Sequence, residues 1–402
     1  MKKHHKNKEA RSSVFITLLP VMTAVLVGFI IIGVALPVLP IHIKSNLGYG
    51  AFIVGVVASA QFLFALVSRI WSGAYSDTKG AKKAVIVGLI AASVAGLLYL
   101  VSVWFLNIPK LSLIILLLGR AILGGAESFV ITGGIAWGLA IVSKEHSGKV
   151  IAWVGTAMFT AMALGGPIGI YLFNLFGFGA IALLTLLLPL VVLVYLFYLP
   201  SLKPMPHSST GSLSSAMKGV WLPGVGAALA SLGYFTILAF SSLYYSSMGW
   251  QPVWMAFTAF GVALIITRMF VGDLPDRFGG AQIALLFVII QSIGLFMMWC
   301  ATSSFIASIG SVFVGVGYSL VYPGLGLEAV NSVSPQNRGM AMGIFTAFLD
   351  IAMAIGGPIF GWIGGTFGIG TIFLAGSGIV LCTAIVTILL IKHSAKLILV
   401  RE

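Results

Sequence analysis

The sequence predicts an all-α membrane protein with twelve transmembrane helices, arranged as two six-helix pseudo-repeat halves. Three observations support this: the composition, a succession of long apolar runs, and motifs that recur about half a chain apart. Of the 402 residues, 59% are hydrophobic and 8% are charged, and the mean hydropathy is +1.12. A soluble domain carries about 25% charged residues. Most of the surface must therefore face lipid, and the alternation typical of membrane barrels is missing, so helices are the expected spanning structure.

Twelve apolar runs are long enough to be spans. Their approximate limits are 14–41, 50–75, 83–105, 111–142, 148–176, 179–199, 218–246, 252–275, 281–301, 304–332, 337–366 and 370–392. A Pro- and Ser-rich segment, 201–217, predicts a cytoplasmic linker between an N-terminal half, 13–200, and a C-terminal half, 218–392. The basic residues 1–12 predict a disordered cytoplasmic arm, and 393–402 predict a cytoplasmic tail. The first run is too long for the apolar core of a signal peptide, so we expect it to be retained.

Lysine and arginine residues predict the orientation of the chain. With the N-terminus inside, the cytoplasmic segments hold 17 of them and the opposite segments hold two, Lys44 and Lys110. Because cytoplasmic loops are enriched in Lys and Arg, both termini are predicted to be cytoplasmic. The same distribution explains the net charge of +13, so we expect no nucleic-acid partner.

Neither the cysteines nor the motifs indicate an enzyme. Cys300 and Cys382 lie inside apolar runs without metal-ligand spacing. The sequence has no phosphate-binding Walker loop after a strand and no credible catalytic triad. We therefore expect no metal, no cofactor and no ATP hydrolysis; the expected partners are lipid, protons and a small-molecule substrate, and the expected state is a monomer.

Two related segments mark an internal duplication. Gly73-Ala-Tyr-Ser-Asp-Thr-Lys-Gly-Ala-Lys-Lys83 follows the second run, and Gly272-Asp-Leu-Pro-Asp-Arg-Phe-Gly279 follows the eighth, 199 residues later. An arginine precedes the first glycine of each by four residues. Glycine-proline motifs in runs five and eleven, at Gly165 and Gly356, match at an offset of 191. The two halves are thus predicted to be parallel repeats, as in one large class of secondary transporters.

The first segment resembles the loop signature of the major facilitator superfamily, G-x-x-x-D-[RK]-x-G-x-[RK]-[RK], with Thr78 as a departure. Within that superfamily, the chain resembles the bacterial YhhS/YfcJ branch, often labelled arabinose-exporter-like. The superfamily resemblance covers essentially the whole chain, whereas residues 66–83 carry most of the likeness to this branch, which implies a bacterial inner-membrane location. It implies alternating access and export of a small organic solute: a drug, a sugar or a metal-chelating metabolite. Residues of the two segments are then expected to form a gate: Arg69, Gly73, Asp77, Gly80, Lys82, Lys83, Arg268, Asp273, Asp276 and Arg277.

Ionisable residues inside the apolar runs are the candidates for proton coupling. Asp350 lies in the middle of run eleven, where a carboxyl group is costly to keep charged. Arg120 and Glu127, seven residues apart in run four, lie on roughly the same helix face. Leu116-x-x-x-Arg120-x-x-x-Gly124 resembles a signature of proton-coupled drug antiporters, with Leu123 in place of the usual Gln. We predict that Asp350 and Glu127 titrate and that Arg120 tunes one of them; purely structural roles are the alternative.

The predicted substrate cavity consists of Arg120, Glu127, Tyr234, Tyr318, Glu328 and Asp350. Glu328 lies near the predicted cytoplasmic end of run ten, so pairing with a loop remains open as its role. Two alternatives to a proton-coupled exporter also remain open. One is an importer or uniporter of a sugar or organic anion, with Arg120 binding the anionic group. The other is a non-transporting sensor on the same scaffold.

Overall fold

The computed structural model describes residues 2–142, 147–198, 213–334 and 337–399, and this part of the chain contains helices and no strand. The helices, in chain order, are α1 (Lys2–Ala35), α2 (Leu39–Ser45), α3 (Ala51–Lys79), α4 (Ala81–Trp104), α5 (Pro109–Ile141), α6 (Ser147–Phe176), α7 (Phe178–Phe197), α8 (Leu213–Ser247), α9 (Met255–Val271), α10 (Leu274–Phe278), α11 (Gly280–Trp299), α12 (Ser304–Asn331), α13 (Arg338–Phe367) and α14 (Thr371–Leu399).

The helices reproduce the predicted spans. Within the described residues, eleven stretches are long and apolar enough to cross a membrane, and the first of them, Ile16–Ser45, combines α1 and α2. Helix α9 is apolar but has only 17 residues, and it completes the set of twelve. Large apolar side chains are exposed along many helices, such as Phe270 (80%) and Ile70 (78%), as expected of helices that face lipid. The chain is a multi-pass membrane protein.

The first helix begins earlier than the sequence predicts. The prediction of a disordered arm at 1–12 was wrong where the chain is described, since α1 starts at Lys2. Lys, Glu, Ala and Arg, which dominate this segment, are good helix formers in themselves. Helix α1 ends at Ala35, just before Pro37, because proline disfavours helical backbone in the residue that precedes it. Of the predicted linker, 201–212 lies outside the described residues.

Backbone geometry confirms the duplication. Six glycines have positive φ, a region that residues with a Cβ avoid. They fall into three pairs with similar spacing between the halves: Gly48 (75°) and Gly249 (69°), Gly80 (103°) and Gly279 (94°), and Gly177 (70°) and Gly368 (97°). Each glycine lies between one helix and the next. The two members of a pair occupy equivalent places in the two halves, so the turns of the two halves were inherited together.

Helix packing repeats in the same way. A Cβ on Gly119 of α5 would lie 2.8 Å from the ring of Tyr99 on α4. In the second half, a Cβ on Gly310 of α12 would lie 2.8 Å from the side chain of Met298 on α11. Gly310 follows Gly119 by 191 positions, and Met298 follows Tyr99 by 199. Both glycines allow a close approach between neighbouring helices.

The helices form two compact units. One consists of Met1–Ala35, Phe64–Gly165 and Tyr171–His207, and the other of Leu36–Leu63, Gly166–Ile170 and Ser208–Glu402. The second unit therefore contains the first thirteen residues of α3 together with the helices of the second half.

Candidate functional site

A polar and aromatic cluster lies inside the second unit. Asp350 of α13 and Tyr318 of α12 are each 6% exposed. Tyr318 lies within electrostatic range of Asp350, Arg268, Tyr234 and Tyr322. The ring of Tyr318 stacks on that of Tyr234, with 4.6 Å between centroids and 5° between planes. The structure thus brings together three predicted cavity residues, Tyr234, Tyr318 and Asp350, and adds two that the sequence reasoning did not place there.

Arg268 has a contact that follows from a proline. Pro323 lacks an N–H, so the carbonyl of Ser319 loses the donor that an α-helix normally provides. The Nη2 of Arg268 donates a hydrogen bond to that carbonyl oxygen at 3.1 Å. Arg268 therefore reaches α12 and the tyrosine cluster from near the end of α9. The sequence signal that could have pointed to this contact is Pro323, a proline inside run ten.

Arg120 lies in the first unit and is fully buried, with 0% exposure. The hydroxyl of Tyr99, also 0% exposed, is near enough to interact with its guanidinium group. Among the described residues, however, no group makes a hydrogen bond of regular geometry with the guanidinium nitrogens. Glu127 is half-buried two turns along the same helix. A buried cation with unsatisfied donors suits an anionic partner, since charge-assisted hydrogen bonds are the strong ones.

Glu328 contacts the start of a neighbouring helix. Its Oε1 accepts a hydrogen bond from the backbone N–H of Ala281 at 2.9 Å. That N–H lies in the first turn of α11, where helix donors have no partner within the helix and a negative charge is favoured. Of the two roles open for Glu328, the geometry favours pairing with the connection between α10 and α11.

Replacing Glu328 with Ala should therefore lower stability. We expect a loss of about 1 kcal/mol, as for a lost helix cap, measured as a lower thermal unfolding midpoint of the purified protein. Asp276→Ala is the matched control, because Asp276 is an exposed acidic residue of the same connection. If Glu328→Ala abolishes transport at an unchanged unfolding midpoint, a substrate role is correct instead.

The first gating segment is helical for most of its length. Helix α3 continues to Lys79, and only Gly80 separates it from α4, which begins at Ala81. The prediction of a loop from Gly73 to Lys83 was therefore wrong except at Gly80. No residue between Gly73 and Lys79 interrupts a helix, and the chain turns where Gly80 takes a φ of 103°. Asp77 and Lys83 are exposed, and Lys82 is 6% exposed. In the second segment, Asp273 and Arg277 form an exposed ion pair, and Asp276 is exposed beside them.

The two glycines of the first segment should respond oppositely to alanine. Gly80→Ala should destabilise the protein by about 1–2 kcal/mol, because alanine is strained at positive φ. Gly73→Ala should be neutral or stabilising by up to about 1 kcal/mol, because Gly73 is helical and its Cβ would meet nothing within 4 Å. Thermal unfolding of both variants checks this, and equal effects would contradict it.

Comparison with known proteins identifies the family. The model of the Major Facilitator Superfamily matches residues 21–326 and 253–398. The chain belongs to the Major Facilitator Superfamily. It is a secondary transporter and not an enzyme, as the sequence motifs predicted.

Similar bacterial proteins support the assignment. The chain is 35% identical over 365 residues to the uncharacterized MFS-type transporter YhhS of Escherichia coli K12, covering 90% of this chain and 89% of that protein. It is 35% identical over 381 residues to an uncharacterized MFS-type transporter of Salmonella typhimurium, covering 95% and 98%. The predicted resemblance to the YhhS branch is thereby confirmed.

Solved structures confirm the fold of this superfamily member. A crystal structure of a D-xylose-proton symporter has a TM-score of 0.75 and 13% identity, with 92% of this chain and 96% of that chain covered. A structure of the nucleoside transporter NupG has a TM-score of 0.73 and 14% identity, with 93% and 99% covered. At such identities the likeness concerns the architecture alone.

Proposed function

We propose that this transporter exports a small organic solute in exchange for protons, with Asp350 and Glu127 as the titrating carboxyl groups and Arg120 tuning one of them. The observation that carries the proposal is Asp350, a carboxyl group 6% exposed in the middle of a membrane-spanning helix. Burial favours the neutral form of such a group, and access to water favours the charged form. Alternating access would therefore change its protonation state.

The proposed cycle assigns a task to each group. When the transporter opens outward, Asp350 meets external water and takes up a proton. The neutral carboxyl can then be buried as the outer side closes. After inward opening, the proton leaves, and the solute binds beside the Tyr234–Tyr318 pair, whose stacked rings are 4.6 Å apart. We place both termini in the cytoplasm, because basic residues concentrate in the segments on that side. We place the protein in a bacterial inner membrane, because its relatives are bacterial transporters.

Gating completes the proposal. The segments at Gly73–Lys83 and Asp273–Arg277 lie at equivalent places in the two halves, each ending a helix before a glycine of positive φ. Charged side chains at these turns can make ion pairs in one state and lose them in the other. We assign them to the cytoplasmic gate, with Arg268 acting deeper, through its hydrogen bond to Ser319.

Two measurements test the proposal in sequence. A thermal-stability screen of the purified protein against sugars, drugs and metal chelators identifies a solute that binds the folded state. Efflux of that solute from loaded cells is then followed with the proton gradient intact and with the gradient collapsed. We expect efflux to fall by tenfold or more on collapse; unchanged efflux would contradict proton coupling.

A second function is favoured by one observation: the buried guanidinium group of Arg120 donates no hydrogen bond of regular geometry to the described residues. It could bind the anionic group of an imported organic acid or sugar derivative. In that case, labelled solute enters cells from outside, and Arg120→Ala abolishes uptake of anionic solutes while sparing neutral ones. Net export of the same solute would exclude this function.

A further inference from the structure

Helices α3 and α13 cross closely inside the second unit. The helices run antiparallel, since Ala51 lies beside Gly361 and Gly55 lies beside Gly357. A Cβ on Gly361 would lie 2.5 Å from the carbonyl oxygen of Ala51, and one on Gly55 would overlap the carbonyl oxygen of Gly357. Only glycines permit backbones this close.

One side chain passes from α3 into the hydrogen-bond ladder of α13. The hydroxyl of Ser59, 4% exposed, donates to the carbonyl oxygen of Met353 at 2.6 Å. The Oγ of Ser59 in turn accepts a hydrogen bond from the backbone N–H of Gly357 at 3.1 Å. In a regular α-helix, the N–H of residue 357 bonds directly to the carbonyl of residue 353. Ser59 therefore bridges the two ends of one backbone hydrogen bond of another helix, and such insertions bend helices.

The bridged turn lies next to the proposed proton site. Met353 follows Asp350 by three residues on α13, less than one helical turn. The register of the crossing continues toward Asp350, placing it at the level of Phe62 on α3. Tyr318 interacts electrostatically with Asp350, and also with Arg268, Tyr234 and Tyr322. Helix α3 has no charged or titratable residue between 51 and 63.

We propose that the Ser59 hydroxyl links closure of the α3–α13 crossing to the position of Asp350, so that Ser59 is a positioning residue for proton coupling. The inference rests on the proposed function. On the predicted orientation, this crossing closes the outer side. When α3 docks, the hydroxyl bridges Met353 and Gly357, fixes the turn beside Asp350 and buries the carboxyl group in its neutral form. When α3 moves away, the backbone N–H of Gly357 bonds directly to the carbonyl oxygen of Met353, and the turn relaxes.

The test measures opening of the crossing without a substrate. The full-length protein carries Cys300→Ala, Cys382→Ala and Met353→Cys, the last at a buried position of α13 (5% exposed), and is reconstituted in proteoliposomes. Alkylation of the introduced thiol by a membrane-impermeant maleimide is followed between about pH 5.5 and 8.5, each rate being normalised to the unfolded protein at the same pH. We expect slow alkylation at low pH, where neutral Asp350 permits docking, and faster alkylation at high pH.

Ser59→Ala should then raise the low-pH rate about fivefold or more, the factor expected for a lost hydrogen bond, and should flatten the pH dependence. Gly357→Ala, whose Cβ would overlap Ser59 Oγ, should act in the same direction. Ser231→Ala is the matched control, because this buried serine donates a hydrogen bond to the carbonyl oxygen of Ala228 in its own helix, and it should change nothing. A Ser59→Ala rate and pH dependence equal to those of the parent overturn the inference.

A different variant tests the proposed function independently of the role of Ser59. With Ser59 intact, Asp350→Asn should keep alkylation slow at every pH, because the side chain stays neutral. If Asp350→Asn retains the parental pH dependence, Asp350 is not the titrating group, whatever Ser59→Ala shows. If only Ser59→Ala behaves like the parent, Asp350 titrates without help from the serine.

Discussion

Asp350→Asn should abolish the dependence of transport on external pH. Asparagine has nearly the shape of aspartic acid but cannot release a proton. The outer side can therefore close, but the exchange of solute for protons cannot be completed. We expect proton-driven efflux of the solute identified by thermal screening to fall about 10²-fold, the lower end of what a positioned proton-transfer group contributes. The measurement is efflux from proteoliposomes with an imposed pH difference, repeated across external pH.

Asp276→Asn is the control for this variant. It removes a carboxylate from the same half of the chain, but Asp276 is exposed in the short connection after α9. The rate of its efflux reports on the gate, but the dependence of that rate on external pH should stay that of the parent. Full pH-dependent efflux by Asp350→Asn would transfer the titrating role to Glu127, which is half-buried on α5.

The spans and the repeat could be read from the sequence because lipid imposes a strong and simple requirement. Every spanning segment must be apolar and about 20 residues long, so hydropathy alone finds it. The end of α3 was harder to place. Charges at Asp77 and Lys79 resemble those of a loop, yet side chains at a membrane surface can be charged on a helix that continues to Gly80. The helix ends where Gly80 takes a positive φ.

The site was predictable only in part. Asp350 stood out because an isolated carboxylate inside an apolar run is rare. The contact of Arg268 with Ser319 depends on which turn of α9 faces Pro323 of α12, and the bridge formed by Ser59 depends on the register between two helices almost 300 residues apart in the chain. Neither register leaves a periodic pattern in the sequence, since serine is common in membrane helices and is usually bonded within its own helix.

The two deeply placed arginines should show opposite effects on stability. Arg120→Met should raise the stability of the folded protein by about 1–3 kcal/mol, because methionine replaces a fully buried charge whose guanidinium nitrogens donate no hydrogen bond of regular geometry to the described residues. The same variant should lose transport by tenfold or more, since an unsatisfied buried cation is retained only where function needs it. Thermal unfolding and efflux, measured on one preparation, separate the two effects.

Arg268→Met is the matched variant in the other half. Here the lost hydrogen bond leaves the Ser319 carbonyl without its donor, because Pro323 cannot supply one. A buried acceptor left unpaired costs about 1–3 kcal/mol, so this variant should unfold at a lower temperature than the parent. Stabilisation by Arg120→Met together with destabilisation by Arg268→Met would mark Arg120 as a functional charge and Arg268 as a group that also holds α9 to α12. If both variants destabilise equally, Arg120 has a structural partner, and its assignment to transport loses its physical basis.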